Sequence, residues 1–253
     1  MHLHALRETF TLKCIMYFSD KALPDDARVS HVQEAYDRAA DDAEYDPTFC
    51  LELLKEAEGQ ASKFGKYALA LPFIEQQMPL TQKLYGEDSE QMGIVYSNLC
   101  MCYDNNQKPE RAMEMGQKAI ETLVPLLGES HQLVGTAYNN MASACFNMGK
   151  LKETLDYFEK ALHICEKTLG KEHANTSSTA QNLIFIHLYI AKNSTDKQKA
   201  LIHLSQAKSM AKSWPISDPD IDKALHDISE ALGEPISKPV SKPGFWARLF
   251  GRR

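Results

Sequence analysis

Six cysteines, nine histidines and three glycine–lysine dipeptides are the side chains of this sequence best suited to chemistry. Their spacing argues against each in turn. Cys14, Cys50, Cys100, Cys102, Cys145 and Cys165 contain no C-x-x-C pair. Cys100 and Cys102 are two residues apart, so on a helix they point to nearly opposite sides and do not share a metal. All six are expected to be reduced and mostly buried, behaving as small hydrophobic side chains. Gly65-Lys66, Gly149-Lys150 and Gly170-Lys171 lack the rest of a phosphate loop and read as turns at helix ends. His131 and His173 lie at corresponding loop positions too far apart in sequence to suggest a shared metal, and no H-E-x-x-H helix is present. Ser194-Thr-Asp-Lys197 and Ser205-Gln-Ala-Lys208 match S-x-x-K without the partner motifs that a serine acylase needs. The sequence therefore predicts neither an enzyme, nor a metal site, nor a cofactor.

The regularity lies elsewhere. Gly86, Gly128 and Gly170 are 42 residues apart, as are Asn98, Asn140 and Asn182, and Leu99, Met141 and Leu183. Ala112 corresponds to Thr154 and Ala119 to Ala161 in the same register, which extends back to Ala57, Gly65 and Ala70. A fixed period of this length is the signature of a stacked repeat. Each unit reads as two helices. Gln132–Asn147 is the first helix (A) of one repeat, Gly149 its stop, and 150–169 the second helix (B), with Leu155, Phe158, Leu162, Cys165 and Leu169 at helical spacing. Alanines mark close helix approach, and larger residues such as Tyr103, Phe158 and Leu204 fill the space beside them. In the last repeat, Ala200 and Ala207 match only with an offset of 46, which places four extra residues in the polar turn around 191–199.

The stretch Ala137-Tyr-Asn-Asn-Met-Ala142, Gly149-Lys150, Phe158-Glu-Lys-Ala-Leu-His-Ile and Lys167-Thr-Leu-Gly-Lys-Glu-His173 resembles the tetratricopeptide repeat, in the 42-residue form found in kinesin light chains. The resemblance covers about residues 44–215. It implies an all-α fold, a right-handed α-α superhelical solenoid whose A helices line a concave groove. It also implies that Asn98, Asn140 and Asn182 hold the backbone of a peptide ligand, since an amide both donates and accepts. Asn139 is adjacent. Met101, Ser143 and Phe185 lie one turn on, then Asn105, Asn147 and Tyr189. No lysine or arginine occupies these positions, which disfavours a carboxylate clamp, and Glu56 stands where the first repeat would carry its asparagine. The alternative reading is that the asparagines satisfy groups of neighbouring repeats.

At the N-terminal end, residues 1–43 are expected to form helices that cap the first repeat, and Asp46-Pro47 marks the break. Four repeats then span about 44–85, 86–127, 128–169 and 170–215. Residues 216–233 form a capping helix with Asp218 or Ser217 as N-cap, Pro219 in the first turn and Gly233 as stop. Residues 234–244, with Pro235, Pro239 and Pro243, form a linker. In the final segment, 245–253, Phe245 and Leu249 are four apart, as are Trp246 and Phe250, with Arg248 between them. It suits a membrane interface or a partner groove, or it packs on the repeats.

Net charge is −6, but the stretch from Lys238 to Arg253 carries five bases and no acid, which leaves 23 of the 28 bases against 34 acids before it. An acidic body argues against nucleic acid as partner. No apolar run is long enough to span a bilayer, and no secretory leader is evident, so a cytoplasmic location is expected. The function expected is a scaffold or adaptor that binds a protein or peptide. A peptide-sensing receptor that compacts on binding, or an adaptor recruited through its tail, is the alternative. The oligomeric state and the identity of the partner are not set by the sequence.

Overall fold

The computed structural model describes residues 2–214 and 218–233. Among these, all regular structure is helical: α1 (His2–Ser19), α2 (Asp25–Asp42), α3 (Pro47–Lys63), α4 (Tyr67–Tyr85), α5 (Glu90–Asn105), α6 (Pro109–Leu127), α7 (Gln132–Asn147), α8 (Leu151–Leu169), α9 (Ala174–Asn193), α10 (Lys197–Ser213) and α11 (Pro219–Leu232). The linker and tail expected over residues 234–253 lie outside the described residues. The described residues form two compact units, one running to Glu129 and including Ser143–Met148, the other comprising Ser130–Ala142 and the described residues that follow Met148.

Local chemistry sets the helix limits. Asp46 accepts from the Phe49 amide at 2.7 Å, with Pro47 in the first turn of α3. Ser89 does the same for Met92 in α5. In the next two repeats the position of Ser89 is taken by His131 and His173, whose Nδ1 atoms accept from the Leu133 and Asn175 amides at 3.3 and 3.2 Å. The regular histidines are thus helix caps: an imidazole lone pair replaces the serine hydroxyl. Gly86, Gly128 and Gly170 follow α4, α6 and α8 with φ of 87°, 81° and 82° and ψ near 160°. That region is closed to side chains bearing a Cβ, which explains the recurring glycine.

In the first unit, α1 packs on α2 and α3, α2 on α3 and α4, α4 on α5, and α5 on α6. Leu53, Leu54, Phe73, Ile74, Leu99 and Leu123 are fully buried there. In the second, α9 packs on α8 and α10, and α11 lies across α9 and α10. Ile184, Leu188, Leu204, Ile221 and Ile228 form its core. The column Ala70, Ala112, Thr154, Ala200 is buried throughout, and the Thr154 hydroxyl is satisfied by the Lys150 carbonyl at 2.9 Å. Two further small residues are enforced by close approach. A Cβ on Gly93 would lie 2.5 Å from Leu123 Cδ2, and one on Gly135, its counterpart in the next repeat, 2.9 Å from Ile164 Cγ2.

One expectation is corrected. The four extra residues of the last repeat do not enlarge a turn. α9 has 20 residues where α5 and α7 have 16, and only three residues (194–196) separate it from α10. Four residues make about 1.1 helical turns, so the helix lengthens while its buried face stays nearly aligned. Ile190 and Ala191 of the added turn are buried.

Candidate peptide-binding face

The A helices are α3, α5, α7 and α9. On α5, Leu99, Cys100, Cys102 and Tyr103 face inward, while Asn98 and Met101 are half-buried and Asn105 is exposed. Asn98, Met101 and Asn105 share one face because they stand three and four residues apart. On α7, Asn139, Asn140 and Ser143 are half-buried and Asn147 is exposed. On α9, Asn182 and Phe185 are half-buried and Tyr189 is exposed, with the Phe185 and Tyr189 rings 6.4 Å apart. Every expected position within the described residues is therefore reachable from solvent. The expected tail positions Phe245, Trp246, Arg248, Leu249 and Phe250 lie outside the described residues.

In the first unit the amides already have partners. Asn98 Nδ2 donates to Glu58 Oε1 of α3 at 2.6 Å, and Gln77 Nε2 of α4 donates to the other oxygen of Glu58 at 2.8 Å. Asn147 Nδ2 donates to Asp104 Oδ1 of α5 at 2.7 Å. Asn105 Nδ2 donates to the Met101 carbonyl of its own helix at 2.8 Å. Burial raises the carboxyl pKa of both Glu58 and Asp104, and the donated amide hydrogens partly offset this. Asn98 and Asn147 thus tie one A helix to the next through a half-buried acid.

Sequence reasoning missed these acids. Glu58 is 40 residues before Asn98 rather than 42, so the repeat register does not point to it. A signal was present in Gln77, which occupies the buried column of Ala119, Ala161 and Ala207 and is itself 1% exposed. A glutamine at a position reserved for alanine demands a polar partner. Also missed were two matching pairs in successive repeats, Lys118 Nζ over the Tyr96 ring at 5.8 Å and Lys160 Nζ over Tyr138 at 5.3 Å. Lys160 also lies 5.8 Å from the Tyr157 ring, which stacks on Tyr138.

The chemistry open to these side chains is binding. All six cysteines are free and buried. Burial pushes the Cys14 and Cys102 thiols up to about 12, which removes the thiolate needed for nucleophilic attack. Among the described residues no group of three histidines, cysteines or acids could hold a metal, and no helix is long and apolar enough to cross a membrane.

Paired helices, glycine-terminated B helices and buried small-residue columns define a helical repeat protein. Residues 133–213 match the tetratricopeptide repeat family. No curated protein matches it. Among solved structures, BtubC (BKLC) from P. vanneervenii is similar at 23% identity and a TM-score of 0.56, over 74% of this chain and 75% of that one. The putative kinesin light chain of Podosopora anserina, with nearly identical TPR-like repeats, gives 18% identity and a TM-score of 0.55 over 85% and 97% of the two chains. At such identities the likeness establishes the fold alone.

Proposed function

We propose that this chain is a non-enzymatic interaction scaffold that takes an extended peptide segment of a partner protein on the exposed faces of its A helices. One observation carries the reading. Asn98, Met101 and Asn105 recur as Asn140, Ser143 and Asn147 and as Asn182, Phe185 and Tyr189, all reachable from solvent and none charged. Amides and hydroxyls bond a peptide backbone without reading its sequence, while Met101, Phe185 and Tyr189 offer adaptable apolar contact. A lack of fixed charge favours a neutral backbone over a phosphate or a terminal carboxylate, and the acidic body disfavours nucleic acid. In the second unit, Asn182 stands beside an aromatic pair, which makes α9 the strongest single contributor.

The test is affinity co-purification read by mass spectrometry. It compares the wild type, Asn140→Ala/Asn182→Ala, the triple change that adds Asn98→Ala, and a chain ending at Gly244. Circular dichroism checks each fold. The double change matters because Asn98→Ala also strips a donor from Glu58 and disturbs packing by itself. A partner lost in the folded double variant supports the reading; partners retained by both asparagine variants reject it. Aromatic and basic residues at 245–253 favour a second reading, recruitment through the tail to a membrane or partner. Loss of the partner only on truncation at Gly244 would support that reading instead.

A further inference from the structure

Glycine weakens a helix interior relative to alanine, because it loses more backbone freedom on folding and packs no side chain in return. A helical glycine therefore calls for a reason. Gly93 and Gly135 have one in the Leu123 and Ile164 side chains that a Cβ would strike. Gly59 has none within the chain. It lies one turn before the end of α3, its φ is not positive, and a Cβ built on it would meet no atom within 4 Å. The two reasons that hold elsewhere, close packing and backbone angle, are both missing.

The place of Gly59 in the repeat supplies a third. It stands 42 residues before Met101, at the face position that Met101, Ser143 and Phe185 take in the later repeats. On α3 this face consists of Glu52, Glu56, Gly59 and Lys63, spaced three and four apart. Glu52 and Lys63 are exposed, and Glu56 and Gly59 are half-buried. Where the other repeats present a side chain, α3 presents only backbone.

The neighbouring charges select what crosses it. Glu56 takes the asparagine position of this repeat, and its Oε1 accepts from Gln60 Nε2 at 2.7 Å. Glu52 meets Arg7 at 3.2 Å in an exposed ion pair, which a competing cation exchanges at little cost. The two acids outnumber Lys63, and the charged side chains of α5, Glu90 and Asp104, are both acids. A segment running along this face from α3 to α5 is therefore matched by lysine or arginine.

We propose that Gly59 is the point at which the main chain of the bound peptide comes closest to the first unit, with a lysine or arginine of that peptide set against Glu56. This rests on the reading that an extended peptide binds the A-helix faces. Glycine is retained at a cost to the helix because a side chain there would hold the peptide off.

The probe is a library of random linear peptides selected on the immobilised full chain, with recovered peptides labelled and titrated by fluorescence polarisation. Recovered peptides are expected to be enriched in lysine and arginine over the starting library. Gly59→Ala is expected to raise the urea midpoint, since helical φ and open space both suit alanine, and yet to weaken binding. Gly59→Leu is expected to weaken it at least about tenfold, the effect of extra methylenes forced into a contact. Glu56→Gln is expected to weaken peptides that carry the basic residue more than versions with alanine in its place. Unchanged binding in both Gly59 variants overturns the proposal, as does a Gly59→Ala chain of lower stability or a recovered set with no basic excess. Asn140→Ala/Asn182→Ala is titrated alongside. Loss of binding in that variant but in neither Gly59 variant overturns the close approach alone. Wild-type binding in all of them, or no recovered peptide, overturns the A-helix faces as the peptide site as well. Weakening by the Gly59 variants alone supports the close approach and confines the peptide to the first unit.

Discussion

The two units use the same helix-pair packing but join their helices through opposite kinds of titratable group, half-buried acids in the first and an imidazole pair in the second. In the first, carboxylates sit beneath amides: Glu58 under Asn98 and Gln77, Asp104 under Asn147. In the second, an imidazole pair joins α9 to α10, with His187 Nδ1 2.9 Å from His203 Nδ1 and the rings 5.2 Å apart. His187 corresponds to Cys145 and Tyr103 in the two preceding repeats, so one packing position accepts a phenol, a thiol or an imidazole. The stack specifies shape and burial at such a position. Polarity is free to vary, provided each polar atom finds a partner.

The largest effect should come from the features the units share. Leu99 in the first and Leu204 in the second are both almost wholly buried. Leu99→Ala and Leu204→Ala are each expected to cost about 2–5 kcal/mol in denaturant unfolding. Hydrogen exchange should place the loss around α5 for Leu99→Ala and around α10 for Leu204→Ala.

Acid should then separate the units. Burial, reinforced by the neighbouring His203, lowers His187 from 6.5 to about 4. The unfolded imidazole takes its proton near 6.5 while the folded one resists until about 4. Stability from this group is therefore complete above pH 6.5 and falls as pH drops toward 4, by up to about 3 kcal/mol. Glu58 and Asp104 behave in the opposite sense. Their folded pKa values are raised, so protonation favours the folded form and acid relieves a penalty present at neutral pH. Hydrogen exchange at pH 7 and pH 4.5 should show α9 and α10 losing protection relative to α3 and α5. His187→Gln should flatten that difference, and equal loss in both units would break the comparison.

The amide clasp of the first unit should follow in size. Asn98→Ala removes one of two donors to a half-buried carboxylate and is expected to cost about 1–3 kcal/mol. In Glu58→Gln, Asn98→Ala should cost less, because no half-buried charge loses its donor. Urea unfolding of the four proteins at pH 7 gives that coupling, and a coupling of zero would mean that Asn98 is free for a ligand.

The polar clasps were hidden in the sequence for the same reason that the helices were visible. The repeat period reports positions that must be alike in every repeat: Gly86, Gly128 and Gly170 for their backbone angles, Ala112 and Ala119 for close approach. It locates Asn98, Asn140 and Asn182 on corresponding faces as well. A polar contact between repeats needs only two side chains to meet once, so it carries no period. Asn98 reaches back 40 residues to Glu58, Asn147 reaches back 43 to Asp104, and His187 meets His203 across 16. The lengthened α9 was illegible on different grounds. An offset shows that four residues were added, but Ile190, Ala191 and Lys192 are as compatible with one more helical turn as Asn193 and Ser194 are with a longer loop.

The smallest expected effect concerns a contact that does repeat. Lys118 over Tyr96 in the first unit and Lys160 over Tyr138 in the second occupy matching positions, yet their surroundings differ. Lys160 lies near two stacked rings, whereas Lys118 has one ring and an exposed ion pair with Glu114 at 3.1 Å. Replacement by methionine keeps the apolar stem and removes the charge. Lys160→Met is expected to cost about 0.5–1 kcal/mol, and Lys118→Met a few tenths of a kcal/mol, since exposed ion pairs contribute little. A double-mutant cycle with Tyr138→Leu separates the cation–ring contribution from lost packing. In the last repeat the tyrosine position is Ala180, and the lysine position is Gln206 once the four added residues are counted, so the pair is absent from that repeat. If Ala180→Tyr/Gln206→Lys in that repeat stabilises the second unit by a similar few tenths of a kcal/mol, the clasp is a portable part of the repeat. A destabilised variant would show that the site of Ala180, which is fully buried, has no room for the ring.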